Sequence, residues 1–156
     1  MVILIDTREK ERAITRILAQ FELDNVRFIK TKLDVGDYME LDNPKIVIDR
    51  KQNLMELANN VSHNDLDRFN RELQRAKDNG IHLIFLIEHS NQIKELSDVI
   101  KWENKAGKKY SKWAMDGVRL YRILDALQKT YGVKYEFCDK QHTGKRIIEL
   151  LSNEKP

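Results

Sequence analysis

The chain has 156 residues, of which 41% are hydrophobic and 34% charged, with six glycines and two prolines. That length is the size of one domain, and the composition excludes a disordered, collagen-like or membrane-embedded chain. The net charge of +3 names no partner, but it is uneven: residues 1–100 carry 15 basic and 18 acidic side chains, residues 101–156 carry 13 and 7.

Val2-Ile3-Leu4-Ile5 is a continuous apolar run, β-branched at three of four positions, and predicts a strand buried on both faces. Arg8 to Gln20 places Ala13, Ile14, Ile17 and Leu18 at helical spacing. Three strands are then expected, Val26–Lys32, Gly36–Leu41 and Lys45–Arg50, the last two separated by the turn signal Asp42-Asn43-Pro44, and they suggest an antiparallel meander. A short helix over Asn53–Asn60 and a longer one over Asp65–Asn79, stopped by Gly80, follow. His82–Ile87 predicts a buried strand, Asn91–Ile100 a short helix and Lys101–Lys112 a basic loop. Trp113–Tyr131 predicts a long helix ended by Gly132, Val133–Cys138 a strand and Thr143–Leu151 a final helix. This order implies an α/β fold, a central mixed β-sheet flanked by helices on both faces. One domain is expected over residues 1–152, with a frayed tail over 153–156.

No apolar run approaches the ~18 residues of a membrane span. Asp6 interrupts the N-terminal apolar run too early for a secretory leader. One cysteine, Cys138, excludes an intramolecular disulfide or a cysteine zinc cluster. The expectation is an intracellular protein that is neither secreted nor membrane-bound. The absence of a Gly-rich phosphate loop argues against ATP use.

The chemically informative feature is a set of acids at strand ends. Asp6 closes the first strand, Asp37 follows Gly36 at the start of another, and Asp49 and Lys51 flank Arg50 at the end of the next. Residues i and i+2 of a strand share a face, so Asp49 and Lys51 face one site if the strand continues through Lys51. Two carboxylates and one ammonium suit phosphodiester hydrolysis. Hard oxygen ligands hold Mg²⁺ or Mn²⁺ and leave positions for water and phosphate, while a lysine stabilises developing charge. Acids also flank strands in most soluble proteins. Three consecutive charges directly after the apolar Ile46-Val47-Ile48, however, need a polar purpose or solvent.

The segments Val2-Ile3-Leu4-Ile5-Asp6-Thr7-Arg8-Glu9, Leu33-Asp34-Val35-Gly36-Asp37-Tyr38, Val47-Ile48-Asp49-Arg50-Lys51 and Arg68-Phe69 with Glu72-Leu73, in that order, resemble the nuclease domain of the XPF-type structure-specific endonucleases. Archaeal Hef and XPF and many phage proteins are members. Ile84–Glu88 resembles a later core strand of that family and Trp113–Leu151 its closing helix–strand–helix, so the similarity covers nearly the whole chain. The resemblance implies a restriction-endonuclease-like fold and Mg²⁺- or Mn²⁺-dependent cleavage of DNA near branch points, as in DNA repair or recombination, in the cytoplasm or nucleoid of a bacterial or phage-infected cell. Asp37 and Asp49 match the metal-binding acids, Lys51 the catalytic lysine, and Asp6 an acid at the same site, as a further metal or catalytic group. Arg8, Arg50 and Arg68 match basic residues placed to contact DNA.

Three departures stand out. The family motif reads GD, a spacer, ERK, three residues and D. Asp49 replaces its glutamate, and its last acid falls on Met55, with Glu56 one residue later. The tandem helix-hairpin-helix domain of many relatives has no room in 156 residues.

Other residues have two readings each. Glu9 is a helix-start acid or a site residue. Glu72, with Arg68 and Arg75, is part of a surface ion-pair stripe or faces the site. The 101–113 loop holds five lysines, one acid and three aromatics. Lysines neutralise phosphates and aromatics stack on unpaired bases. Lys105, Lys108 and Lys109 are expected to contact DNA, and the tryptophans to pack in the core or a dimer interface. Cys138 is expected to be a small buried hydrophobe. The leading expectation is a DNA endonuclease, with a homodimer plausible from the resemblance. Its rivals are a non-catalytic DNA-binding or scaffold subunit partnering an active nuclease, and an RNA nuclease.

Overall fold

The computed structural model describes residues 1–89 and 92–153. Six strands form one sheet: β1 (Val2–Asp6), β2 (Arg27–Thr31), β3 (Tyr38–Glu40), β4 (Asn43–Lys51), β5 (His82–Glu88) and β6 (Lys134–Cys138). The helices are α1 (Glu11–Leu23), α2 (Leu54–Asn60), α3 (Leu66–Asp78), α4 (Lys105–Lys108), α5 (Gly117–Tyr131) and α6 (Thr143–Asn153), with a 3₁₀ helix over Leu96–Lys101. The expected mixed sheet with helices on both faces is present. Among the described residues no helix is long and apolar enough to cross a membrane.

The strand order is β2-β1-β3-β4-β5-β6. The expected three-stranded meander is therefore corrected. β2 does not pair with β3; it lies parallel to β1 at the sheet edge, and β1 pairs on its other side antiparallel to β3. The reason is the helix α1 between β1 and β2, which carries the chain back across the sheet so that the two strands run the same way. β2 tolerates the edge because three of its five residues are exposed. β3 and β4 do form an antiparallel hairpin, and β4, β5 and β6 run parallel through helical crossovers.

Alternation along the strands separates two cores. Ile46, Ile48, Ile84 and Leu86 meet Ile14, Ile17 and Phe21 of α1 and Ile147 and Leu150 of α6 on one face. Val47, Leu83, Phe85 and Ile87 meet Leu57 of α2, Phe69 and Leu73 of α3 and Leu120 and Leu124 of α5 on the other. The apolar side chains of β1 are fully buried only on the first face, through Ile3 and Ile5; Val2 and Leu4, on the other, are partly covered.

Element boundaries moved where side chains capture backbone groups. α1 starts at Glu11 rather than Arg8 because the Asp6 carboxylate holds the Arg8 N–H at 2.8 Å, spending residues 7–10 on a turn. α5 starts at Gly117 rather than Trp113 because Asp116 caps it, accepting from the Arg119 N–H at 2.9 Å. The helix expected over 91–100 is a loop followed by the 3₁₀ helix, whose start is closed by reciprocal Glu95 and Asp98 caps; position 91 lies outside the described residues. α6 runs through Asn153, so fraying does not begin there, and 154–156 lie outside the described residues. Trp102 packs partly buried against the core, whereas Trp113 is 78% exposed and lies outside it.

Gly36 turns the chain into β3 at φ +66°, and a Cβ there would lie 2.5 Å from Val47 Cγ1 and 3.0 Å from the Ile48 carbonyl oxygen. Both the backbone conformation and the close approach exclude a side chain. Gly36→Ala is expected to lower unfolding stability by about 1–3 kcal/mol, measured by urea denaturation; an unchanged midpoint would contradict this packing.

Candidate active site

β4 continues through Lys51, which is the condition for its charges to converge. Asp49 and Lys51 share the face of Val47, and Arg50 shares the face of Ile48. Register extends this row across the sheet. Leu4 pairs with Met39 and Met39 with Val47, so Asp6, Asp37 and Asp49 occupy equivalent positions on one face. Backbone bonds continue the ladder beyond β3: the Asp6 N–H donates to the Asp37 carbonyl, and the Asp37 N–H to that of Ile48, each at 2.8 Å.

Asp37, Asp49 and Lys51 line an open cleft of about 540 Å³ between the ends of β3 and β4 and the helices α2 and α3. Lys51 Nζ lies 2.8 Å from Asp49 Oδ1 and sits over the rings of Phe85 and Phe69, at 5.6 and 6.0 Å from their centroids. Burial opposes the ammonium, but the Asp49 carboxylate outweighs it and holds Lys51 charged. Asp37 Oδ2 accepts from the Arg50 N–H at 2.8 Å, and Asp37 Oδ1 takes no hydrogen bond among the described residues. Burial, then the nearby Asp49 and Glu9 charges, push the Asp37 carboxyl well above its ordinary range. Burial also raises Asp49, with Lys51 pulling the other way.

The donor set fits a hard divalent cation. Two carboxylates that resist ionising together in a poorly hydrated cleft are relieved by a cation between them, and oxygen is the ligand Mg²⁺ and Mn²⁺ prefer. Among the described residues no group of three or more acidic, histidine or cysteine side chains could by itself hold a metal, so water or phosphate oxygens would complete the shell. Glu56 also lines the cleft, but its carboxylate accepts from the Gln52 N–H at 2.7 Å while Asn53 caps α2. Glu72 faces the site, at 3.4 Å from the Gly36 N–H.

Asp6 is fully buried and does not line the cleft. Its Oδ1 accepts from the Arg8 N–H and guanidinium, and its Oδ2 from the Leu33 N–H at 2.7 Å. Burial works against its charge, but these bonds prevail and lower its pKa. Arg8 remains 65% exposed at the rim.

Arg50 points through the sheet to the opposite face, with 2% of its side chain exposed. Its guanidinium donates to Glu9 at 2.8 and 3.2 Å and to Glu88 at 3.2 Å. Tyr38 donates to Glu9 at 2.6 Å and Thr143 of α6 to Glu88 at 3.0 Å. Glu9 lies before α1, so it is not a helix-start acid; it is a partner in this buried network and also lines the cleft. Burial opposes the guanidinium charge, and Glu9 overrides it to raise the Arg50 pKa. Sequence reasoning did not find this network, because its members lie 29 to 55 positions apart in the bonds that close it.

α3 presents Arg68, Arg71, Glu72 and Arg75 to the cleft. Arg68 is exposed and pairs loosely with Asp65 at 3.5 Å, and Arg75 donates to the Asp34 carbonyl at 3.2 Å. Arg71 and Arg75 were not singled out as site residues, although the i, i+3 and i+7 spacing from Arg68 carried the signal. Lys105, Lys108 and Lys109 are exposed but lie outside this cleft; Lys105 pairs with Glu103 at 3.3 Å. Cys138 is half-buried, and desolvation raises its thiol to about 11, which keeps it protonated.

The site is thus an acidic centre at the ends of β3 and β4, walled by a basic helix, on an α/β fold. The ERCC4 domain model matches residues 5–151, and the chain belongs to that family. Two solved structures are similar: XPF from Aeropyrum pernix, at TM-score 0.66, and XPF from Aeropyrum pernix in complex with DNA, at TM-score 0.67. Each is 21% identical over 97% of this chain, which spans 63% of the length of the solved chain. No curated protein matches the chain.

Two outcomes follow from the electrostatics. Because the folded-state pKa of Asp37 is raised, its ionisation costs stability at neutral pH, and that cost is relieved as pH falls toward the ordinary carboxylate range. Asp37→Asn, which keeps an acceptor for the Arg50 N–H, is expected to raise the urea midpoint of the metal-free protein at pH 7 and to abolish any Mg²⁺-induced rise in Tm. Arg50→Ala strands two buried carboxylates and is expected to cost about 3–5 kcal/mol, whereas the exposed Arg68→Ala should stay within about 0.5 kcal/mol. Equal stabilities of the two variants would contradict the buried network.

Proposed function

We propose that this domain is a Mg²⁺- or Mn²⁺-dependent endonuclease that hydrolyses phosphodiester bonds in branched or structured DNA, such as a flap, fork or junction. The observation that carries the reading is the convergence of Asp37, Asp49 and Lys51 in one open cleft bordered by Arg8, Arg68, Arg71 and Arg75. The DNA complex of the Aeropyrum pernix XPF, which shares the fold, supports DNA as the substrate.

Asp37 and Asp49 would hold the metal, which polarises a phosphoryl oxygen and lowers the pKa of water bound to it. Lys51, held charged by Asp49, is placed to orient the attacking water or to stabilise charge on the phosphate in the transition state. Its position over Phe69 and Phe85 restricts the ammonium to the cleft side. Arg8 and Arg68 would hold the DNA backbone, joined by Arg71 and Arg75; phosphate contacts of this kind fix register without reading sequence. Arg50 holds the end of β4 from beneath, and Asp6 holds the loop carrying Arg8 and the loop before Gly36.

A scaffold subunit without catalysis leaves the arrangement without purpose, since burying Asp49 and Lys51 beside a second carboxylate costs stability that apolar residues would not. The test is cleavage of end-labelled flap, fork and duplex DNA with Mg²⁺ and Mn²⁺, with matched RNA flaps as the contrast. Asp49→Asn and Lys51→Ala are each expected to slow cleavage about 100-fold or more, with circular dichroism showing the fold retained. Cleavage by Asp49→Asn at the wild-type rate would reject the assignment.

A further inference from the structure

The segment between the 3₁₀ helix and α5 is built as a fixed platform rather than a slack loop. Asn104 is 3% exposed and adopts a left-handed conformation, φ +46°. Its Oδ1 accepts from the Gly107 N–H at 3.1 Å and its Nδ2 donates to the Met115 carbonyl at 2.6 Å. The Gly117 N–H donates to the Trp102 carbonyl at 3.0 Å, closing the base. On this base two aromatic side chains stand in solvent, Tyr110 at 92% and Trp113 at 78% exposure. Lys112 Nζ lies 5.1 Å from the Trp113 ring centroid. Lys108 and Lys109 are exposed beside them, and no acid occurs between Asn104 and Met115.

Neither aromatic serves the core. Flat π faces among cations match an unpaired nucleobase on an anionic backbone, because stacking needs an open ring and the phosphate needs a positive neighbour. The location agrees. His89 directly follows β5 and lines a cleft with Trp102 and Lys105. β5 runs parallel to β4, with Ile87 opposite Lys51, so this cleft opens at the sheet end that carries the candidate active site.

We propose that residues 108–113 form a stacking platform for unpaired DNA, taking the single-stranded segment of a branched substrate on Tyr110 and Trp113 while Lys108, Lys109 and Lys112 hold its phosphates. This rests on the reading that the domain acts on DNA. The stretch is too rich in lysine for the apolar centre of a subunit interface, where charged side chains are depleted.

The test is binding without divalent metal, using labelled oligothymidylate and a duplex of equal length. Trp113 emission, read as wild type minus Trp113→Ala, is expected to be quenched by oligothymidylate. Tyr110→Ala and Trp113→Ala should each weaken single-strand binding about tenfold and leave duplex binding within about twofold. Lys109→Ala should weaken both and reduce the salt dependence of binding. Unquenched emission, an equal loss on duplex, or a homodimer that Trp113→Ala dissociates would overturn the proposal. If flaps are left uncut while Trp113 is quenched, the platform stands and the nuclease reading falls. If flaps are cut with Trp113 unquenched, the reverse holds.

Discussion

The end of β4 buries three charged residues in a row, in the middle of a sheet covered on both faces. Asp49 and Lys51 emerge on one side and Arg50 on the other, and none is more than 8% exposed. Charges taken from water must be paired and hydrogen-bonded or they are lost. Much of the polar architecture answers that requirement. Glu9 and Glu88 balance Arg50, Tyr38 donates to Glu9 and Thr143 to Glu88, and Lys51 balances Asp49. The helices α1 and α6 on one face and α2 and α3 on the other are placed so that these partners meet.

The two faces have different outcomes. Beneath the sheet a guanidinium is paired with two carboxylates near α1 and α6, and Glu88 Oε2 is buried with no hydrogen-bond partner among the described residues. Above it the balance is left open, because two carboxylates and a charged lysine face water in a cleft, and Asp37 is driven up by its neighbours. An arrangement paired and buried on one side and open to a cleft on the other holds its groups still while leaving them able to bind a cation and an anion. Asp37 joins the sides physically, since the N–H it captures belongs to Arg50.

Much of the site was legible in the chain because strand geometry is local. The i, i+2 rule placed Asp49 and Lys51 together, and the abrupt change from Ile46-Val47-Ile48 to charge marked the strand end as special. Asp37 was reached through the hairpin. The fates of Asp6 and Arg50 were not legible. Both are charged residues next to charged residues, and nothing nearby in sequence distinguishes a group that meets a ligand from one that meets Leu33 or Glu88. Of the two places expected for Trp113, the core is excluded by its exposure: Asn104 and Asp116 hold the flanking chain while its ring stands outside.

The sequence by itself determined the elements, the two apolar faces of the central strands and the pairing of Asp49 with Lys51, since these follow from periodicities of two and 3.6 residues within short windows. Only the tertiary structure decided that β1 lies between β2 and β3, that Arg50 turns beneath the sheet, and that α3 supplies a basic wall to the cleft. Those outcomes depend on which distant segments share a crossover and which buried charge finds a partner. The uneven charge of the chain follows the same division: seven of the 18 acids of the first hundred residues, Asp6, Glu9, Asp37, Asp49, Glu56, Glu72 and Glu88, serve the site and its buried support, while the lysines around Trp113 remain in solvent.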